Sequence, residues 1–151
     1  YFITTPIYYV NDKPHLGHTY TTVACDVAAR FMRLDEREVF FLTGTDEHGQ
    51  KVAQAAEKAG MDPQAFTDKV SQNFRDLVPV FNFTNDDFIR TTEPRHKKAA
   101  QALWQKLEAV GDIYLDRYSG WYAVRDEAYY GEDELKDVNG KKIAPSGAEC
   151  E

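Results

Sequence analysis

The sequence predicts an α/β fold built on a parallel sheet, because two strand-like segments alternate with two helical ones. Residues 2–10 and 38–43 are rich in β-branched and aromatic side chains, a composition typical of buried strands. Residues 15–33 and 49–59 follow them and carry apolar residues at helical spacing. The order strand, helix, strand, helix is that of a βαβ unit, which implies parallel strands joined by a right-handed crossover.

Composition limits the classes of protein to which the chain can belong. Its 151 residues, 42% apolar and 13% aromatic, indicate a folded domain with at most a small appendage. The formal net charge of -7 argues against a surface that wraps phosphate backbones, but not against a nucleic-acid partner that docks on other parts of the protein. The two cysteines form neither a disulfide framework nor a metal-binding spacing. This cysteine usage is that of a reduced chain, and we expect a cytoplasmic protein. No apolar run approaches about 20 residues, so we expect no membrane span.

Turn and capping residues set the predicted bounds of the first elements. Pro6 lacks an N–H group and therefore belongs at an edge, a bulge or a strand end. Gly44 is expected to end the second strand, and Gly60 the second helix. The apolar stripe of the first helix consists of Val23, Val27, Phe31 and Leu34.

Two further helices and a short strand follow. Asp62 and Pro63 are typical N-cap and first-turn residues, and residues 88–91 are predicted to form the strand. The third helix carries an apolar face formed by Phe66, Val70, Phe74, Leu77 and Phe81. The fourth helix, from about residue 93 to Gly111, carries an apolar stripe formed by Ala100, Leu103, Leu107 and Val110. We interpret both sets of residues as core.

Beyond the fourth helix the pattern changes to short strands. Residues 113–115 and 118–124 are predicted strands, and Asn139-Gly140 is a hairpin signal. We therefore divide the chain into an α/β part, residues 1–112, and a β-rich part, residues 113–151. Because the chain begins with tyrosine and stops in a polar stretch, we expect it to be a piece of a longer protein.

The first candidate site is His15-Leu16-Gly17-His18, at the junction of the first strand and the first helix. Ligands of open parallel sheets bind at this carboxyl edge, and the free N–H groups of a helix N-terminus attract phosphate. Gly17 lets a flat ring or a phosphate approach closely. The pattern favours a triphosphate attacked at phosphorus, a reaction that needs positioning and charge stabilisation. The alternatives are a metal site, for which no third ligand is evident, and two incidental surface histidines.

The second candidate site follows the second strand and is therefore expected at the same sheet edge. Asp46, Glu47 and His48 are consecutive ionisable residues, which are costly to bury without partners. Asp46 could hold an ammonium group through a charge-assisted hydrogen bond. The segment is not a P-loop, because Lys51 comes one place late and Val52 stands where Ser or Thr binds magnesium. The alternative is a polar loop that caps a helix.

Together these segments resemble the methionyl-tRNA synthetases, a branch of the class I aminoacyl-tRNA synthetases. The first candidate site is similar to the His-x-Gly-His signature of class I. Residues 4–12 (Thr-Thr-Pro-Ile-Tyr-Tyr-Val-Asn-Asp) and 44–49 (Gly-Thr-Asp-Glu-His-Gly) are similar to the methionine branch in particular. Residues 88–92 with His96, and residues 111–114, are further matches, so the resemblance covers essentially the whole chain.

The resemblance implies a fold and a reaction. The fold is the first half of the class I nucleotide-binding fold, followed by the start of a β-rich connective-peptide insertion. The reaction is that of a methionine–tRNA ligase in translation. ATP, accompanied by Mg²⁺, reacts with L-methionine to give methionyl-adenylate, and the methionyl group then passes to tRNA(Met). The tRNA would bind through regions beyond this chain.

The resemblance also implies roles for individual residues. His15 and His18 would be catalytic, because they would stabilise the pentacovalent transition state at the ATP phosphate. The implied ATP-binding residues are Asn11, His15, Gly17 (against the adenine) and His18. The implied methionine-binding residues are Asp46 at the α-ammonium, and Ile7 and Tyr9 beside the side chain.

The sequence departs from the family pattern in two places. The Lys-Met-Ser-Lys-Ser loop, whose lysine contacts the ATP phosphates, is absent, so we expect this chain alone to be inactive. Many relatives carry zinc-binding Cys-x-x-Cys pairs in the connective insertion, but Ala123 and Asp126 stand here where the first two cysteines would be. We therefore expect no zinc and no other metal site, and a structural role for Cys150.

Two other functions are compatible with the same motifs. A nucleotidylyltransferase also places a His-x-Gly-His motif at a helix start, although its chemistry offers no amino-acid ammonium for Asp46 to bind. The second is a non-catalytic binding module that is similar to a synthetase.

Overall fold

Four parallel strands and four helices build the first part of the chain. The computed structural model describes all 151 residues and divides into two compact units, residues 1–106 and 107–151. The strands of the first unit are β1 (Phe2–Thr4), β2 (Tyr8–Tyr9), β3 (Phe40–Asp46) and β4 (Asp87–Arg90). The helices are α1 (Leu16–Leu34), α2 (Gln50–Lys58), α3 (Pro63–Phe81) and α4 (Pro94–Ala109), whose last residues belong to the second unit. No helix combines the length and the apolar character that a membrane span requires.

The sheet confirms the predicted parallel arrangement. β3 is central, with β1 and then β2 paired along one side and β4 along the other, all in parallel. Thr4 pairs with Leu42 and Tyr8 with Thr45, so the first segment holds one residue more than the facing part of β3. The extra residue forms a bulge around Pro6, a position that suits a residue without an N–H group.

The first strand-like segment is broken and only partly buried, so the prediction of one buried strand over residues 2–10 is wrong. Its buried residues are Thr5, Tyr8 and Val10. Phe2 and Ile7 are 63% and 42% exposed. Successive side chains of a strand point to opposite faces, and the core covers only one of them. The other face brings Ile7 and Tyr9 to the surface.

The core of the first unit lies where α2 and α3 pack against β2. It confirms part of the predicted apolar face of α3, because Phe66, Val70 and Phe74 are buried, whereas Phe81 is 47% exposed. The other buried members of this core are Tyr8, Val10, Val52 and Ala56. α3 begins as predicted, since the Asp62 carboxylate accepts hydrogen bonds from two backbone N–H groups of the first turn.

The apolar stripe of α1 lies at the surface, and so does that of α4. Val27, Phe31 and Leu34 are 61%, 63% and 84% exposed. α4 has no buried residue, so its interpretation as core is wrong. Helical spacing correctly predicted that both segments are helices, but spacing cannot show whether anything covers the apolar side.

Polar contacts determine which side of α1 is buried. Thr22 Oγ1 lies 2.9 Å from the hydroxyl of Tyr8. The buried carboxylate of Asp26 accepts hydrogen bonds from the backbone N–H and the hydroxyl of Thr84 at 2.6 and 2.7 Å, and from Arg30 Nε at 2.6 Å. Burial alone would raise the pKa of Asp26, but the hydrogen bonds from Arg30 and Thr84 outweigh it and hold the pKa below its usual value. α1 therefore buries this polar side.

Gly44 lies inside β3 rather than at its end, so the predicted strand boundary is wrong. The strand continues to Asp46 and pairs with β4 throughout the region around Gly44. A Cβ at position 44 would lie 2.0 Å from the backbone oxygen of Ile89. Glycine inside a strand commonly marks such a close backbone approach, and here it permits the pairing of β3 with β4.

Gly44→Ala should therefore destabilise the fold by about 2 kcal/mol or more, since the added methyl meets backbone that cannot swing aside. The free energy of unfolding in urea measures this loss. Gly120→Ala is the control, because the nearest atom to its Cβ would be 3.6 Å away, an ordinary contact. Equal stability of the two variants would contradict the prediction.

Short antiparallel strands form the second unit. They are β5 (Trp121–Ala123), β6 (Ala128–Tyr130), β7 (Lys136–Val138), β8 (Lys141–Ile143) and β9 (Glu149–Cys150). β5 pairs with β6, and β8 pairs with β7 and β9. The predicted hairpin is confirmed, since Asn139 and Gly140 have φ values of 53° and 79° between β7 and β8. Residues 113–115 form no strand, so that prediction is wrong; strand propensity alone does not suffice without a paired segment.

A small core holds the second unit together. Its buried residues are Ala123, Ala144, Ala148 and Cys150. Cys150 is a free, buried thiol, in agreement with a structural role. The assignment of residues 1–112 to half of a catalytic domain and of residues 113–151 to a connective insertion stays a prediction.

Candidate active site

An open cleft lies beyond the carboxyl end of β2, where the chain turns into α1. Its volume is about 390 Å³. The cleft is lined by Ile7, Tyr8, Tyr9, Asn11, Asp12, Lys13, His15 and His18. Five of the seven residues predicted to bind ATP or methionine are among them, namely Ile7, Tyr9, Asn11, His15 and His18. The two others, Gly17 and Asp46, do not line this cleft.

His15 and His18 form a reciprocal cap on the first turn of α1. Nδ1 of His15 accepts a hydrogen bond from the N–H of Gly17 at 3.1 Å, and Nδ1 of His18 accepts one from the N–H of His15 at 3.1 Å. The two ring centroids are 3.9 Å apart. A capping box usually pairs Ser or Thr with Glu or Gln, but here both capping side chains are histidines.

This cap fixes the tautomer of both rings. Because each Nδ1 is an acceptor, the proton of each neutral imidazole sits on Nε2, which is left to donate. The N–H of Gly17 donates to the His15 ring, and those of His18 and Thr19 donate to the carbonyl of His15. The prediction of free N–H groups is therefore wrong for these positions. The side-chain donors that the motif offers to an anion are the two Nε2–H groups.

Aromatic side chains hold the ring of His18. Its centroid lies 4.8 Å from that of Tyr8 and 5.2 Å from that of Phe74, and both contacts are edge-to-face. The Tyr8 hydroxyl also donates to the backbone carbonyl of His18 at 3.2 Å. Burial, and then the charge of His15, lowers the pKa of His18 below its usual value. The His18 ring is therefore mainly neutral at about pH 7.

The lowered pKa of His18 predicts a loss of stability in mild acid. The unfolded histidine takes up a proton near about pH 6.5, whereas the folded one does so at lower pH. The free energy of unfolding therefore falls as the pH drops below about 6.5. His18→Asn keeps an acceptor near the position of Nδ1 but cannot be protonated, so it should lose less stability between about pH 7.5 and about pH 5. Thermal unfolding of both proteins tests this, and parallel curves would contradict it.

Gly17 makes room for the His15 ring. A Cβ at position 17 would lie 2.8 Å from Cε1 and 3.0 Å from Nδ1 of His15. A larger residue would therefore push the imidazole away from its capping position. This is a structural reason for the glycine, in addition to the predicted approach of adenine.

Asp46 ends β3 at the same edge of the sheet. It pairs with Tyr9, and partners in a parallel ladder project their side chains to the same face, so the carboxylate lies on the Tyr9 side. Asp46 Oδ1 accepts a long hydrogen bond, 3.5 Å, from the N–H of His48. The N-cap residue of α2 is Gly49, which has no side chain to cap the helix. The structure thus brings both candidate loops to one edge.

Glu47 and Arg90 form a buried ion pair that the sequence did not predict. The Glu47 side chain has no exposed surface, and that of Arg90 is 17% exposed. Arg90 Nε and Nη2 donate to the two carboxylate oxygens at 2.7 and 2.9 Å. The run of ionisable residues after β3 indicated that a buried one would need a partner, but no sequence signal identifies a partner in β4.

No group of three or more His, Cys, Asp or Glu side chains is placed to hold a metal ion. At the positions of the first two expected cysteines, Ala123 is fully buried in the second core. The Asp126 carboxylate accepts hydrogen bonds from the hydroxyls of Tyr130, at 3.0 Å, and Ser146. Side-chain packing and hydroxyl donors therefore occupy these positions, and the absence of zinc stays a prediction.

Comparison with known proteins decides the family. The family described as tRNA synthetases class I (M) matches residues 1–149. The chain belongs to the class I tRNA synthetases. Methionine–tRNA ligases of Rickettsia typhi and Rhizobium meliloti are 62% and 53% identical to it, over all of this chain and over 29% and 30% of their own lengths. This synthetase chain therefore spans less than a third of these relatives.

Solved structures of class I synthetases share the fold. Methionyl-tRNA synthetase of Mycobacterium tuberculosis in complex with methionyl-adenylate matches with a TM-score of 0.91 at 47% identity, over 100% of this chain and 30% of that one. The free form gives a TM-score of 0.68 at 41% identity, over 100% and 28%. The predicted fold class and the resemblance to methionyl-tRNA synthetases are confirmed. Membership of this family also disfavours a nucleotidylyltransferase.

Proposed function

We propose that this chain forms part of a methionine–tRNA ligase, a translation enzyme of the cytoplasm. The enzyme activates L-methionine with ATP to methionyl-adenylate and transfers the methionyl group to tRNA(Met). The observation that carries the proposal is 62% identity, over every residue of this chain, to a protein named methionine–tRNA ligase. Mg²⁺ accompanies ATP as part of the substrate, and the tRNA binds through parts of the enzyme outside this chain.

The histidine cap supports a role at the phosphates. Its two Nε2–H groups are donors on rings whose centroids are 3.9 Å apart, at the positive end of the α1 dipole. As negative charge grows on the attacked phosphate, preorganised donors of this kind stabilise the transition state without rearranging. Asn11 lines the same cleft. His15 and His18 are therefore the proposed catalytic residues, and Asn11 and Gly17 complete the ATP site.

The methionine side lies toward β2 and β3. Ile7 and Tyr9 line the cleft, and Asp46 pairs with Tyr9 in the sheet. A thioether carries no charge and is a weak acceptor, so an apolar and aromatic wall suits it, while the Asp46 carboxylate suits the α-ammonium. Hydrophobic contact alone discriminates between two side chains that differ by one methylene by only about 1–3 kcal/mol of binding free energy. The ammonium contact must therefore orient the substrate, whereas the wall selects its side chain.

Exchange of labelled pyrophosphate into ATP by the full-length protein that contains this chain tests the proposal. Exchange should require methionine and should be far slower with leucine or valine. The isolated chain of 151 residues should show none. Exchange independent of any amino acid would favour a nucleotidylyltransferase, and no exchange by the full-length protein would favour a non-catalytic module. Either result would overturn the proposal.

A further inference from the structure

We propose that Glu47 and Arg90 are positioning residues that hold Asp46 ready for the ammonium group of methionine, an inference that rests on the proposed function. Neither residue is among those that the motifs assign to ATP or methionine. Glu47 directly follows Asp46 in the chain, and Arg90 lies on the neighbouring strand β4. The chemical class they serve is therefore the primary ammonium of an amino acid.

The carboxylate of Glu47 is completely enclosed by donors. It accepts hydrogen bonds from Thr45 Oγ1 at 2.8 Å, from Arg90 Nε and Nη2 at 2.7 and 2.9 Å, and from the hydroxyl of Thr92. The backbone N–H of Glu47 donates to Thr91 Oγ1 at 2.9 Å. A buried carboxylate with this many hydrogen-bond donors is held in one orientation. Glu47 is therefore a fixed point, a rigidly held residue in a turn that is otherwise exposed.

This fixed point lies next to Asp46 in the chain. Thr45, on the other side of Asp46, is also buried and pairs in register with Arg90 of β4. Arg90 in addition donates to Asp68 of α3. The residues on both sides of Asp46 are therefore anchored to β4 and, through Arg90, to α3. Asp46 itself has a half-buried side chain with one long hydrogen bond, so its position depends on its two neighbours.

Charge balance is the second contribution of the pair. Asp46 and Glu47 are consecutive carboxylates, and the buried one, Glu47, needs a partner of opposite charge. The bidentate contact with Arg90 neutralises Glu47 and leaves the charge of Asp46 for a ligand. If Glu47 lost its charge, the guanidinium would keep Asp68 as a partner but lose its buried one.

The test is pyrophosphate exchange by Glu47→Gln in the full-length protein. We expect the KM for methionine to rise about 10-fold, a typical coupling between residues of one network, while the KM for ATP changes by less than about 2-fold. Arg90→Lys keeps the positive charge but cannot make the two parallel hydrogen bonds to Glu47, so it should also raise the KM for methionine. In the double variant the KM for methionine should rise by less than the product of the two single increases. The first substitution already breaks the ion pair, so the second has less of it to remove.

The control is Asp86→Asn, at the other end of β3. Asp86 also joins an arginine and the β3 backbone, since it accepts hydrogen bonds from Arg33 Nη2 at 2.8 Å and from the N–H of Phe41 at 2.7 Å. Its loss should lower stability without selectively raising the KM for methionine. If Glu47→Gln does not fold, Arg90→Lys and Thr92→Val give the same readout with smaller changes.

The outcomes separate this inference from the proposed function. A selective rise in the methionine KM with Glu47→Gln and Arg90→Lys supports it. Parallel rises in both KM values, or additive effects of the two changes, overturn it and leave a merely structural pair. If Asp46→Asn impairs methionine binding whereas Glu47→Gln does not, this inference alone fails. If wild-type protein shows no methionine-dependent exchange, the proposed function fails.

Discussion

Replacing His18 by alanine in the full-length protein should slow methionyl-adenylate formation by about 10²–10³-fold, as expected for the loss of one preorganised donor. Affinity for methionine should change little, because the Nε2–H donor acts where charge develops at phosphorus and not at the amino acid. An interaction that strengthens only in the transition state lowers the rate constant without weakening ground-state binding. Single-turnover formation of adenylate measures the rate, and titration with methionine measures the affinity.

The reciprocal cap makes a sharper version of this experiment possible. Asparagine at position 18 can place an acceptor near Nδ1, which receives the N–H of His15 at 3.1 Å, but it has no donor at Nε2. Glutamine can place an amide N–H near Nε2 but loses the acceptor of the cap. His18→Asn should therefore keep most of the stability and little activity, whereas His18→Gln should recover part of the activity at a cost in stability. Equal activity of the two variants would refute donation from Nε2.

Sequence patterns predicted the elements of the fold better than their burial. The alternation of strands and helices was sufficient for the parallel sheet, and the Asp62 cap placed the start of α3. The stripe of α3 is covered, whereas Phe31 and Leu34 of α1 are 63% and 84% exposed. Helical periodicity identifies the apolar face of a helix. Whether another element packs against that face depends on the tertiary structure, which local spacing does not contain. The polar contacts of Asp26 with Thr84, 58 positions apart, decided the rotation of α1.

The candidate site shows the same division between local and distant information. His15, Gly17 and His18 form their cap within four consecutive residues, so the motif itself contains the geometry. The sheet edge that they share with Asp46 followed from parallel strands. Glu47 and Arg90 are 43 positions apart and meet only because β3 and β4 pair. Neither residue belongs to a motif that would identify its partner, and only the coordinates reveal the pair.

Asp46→Asn should weaken methionine binding by about 100-fold, which corresponds to ~3 kcal/mol for a charge-assisted hydrogen bond. Asparagine has the same shape and fits the same position in register with Tyr9, so the change removes charge without altering the fold. Isothermal titration of the full-length protein measures the affinity. ATP binding in the absence of methionine should be unchanged, since the carboxylate has no part in holding phosphate.

A ligand without the amino group makes the assignment specific. Wild-type protein should bind 4-(methylthio)butanoate, which keeps the thioether and the carboxylate of methionine, much more weakly than methionine. Asp46→Asn should bind both ligands with similar affinity, because the discrimination depends on the pairing of one carboxylate with one ammonium. A variant that still prefers methionine by the wild-type factor would show that another group receives the ammonium. The same result would remove the reason for Glu47 and Arg90 to hold Asp46 in place, because their proposed role depends on that contact.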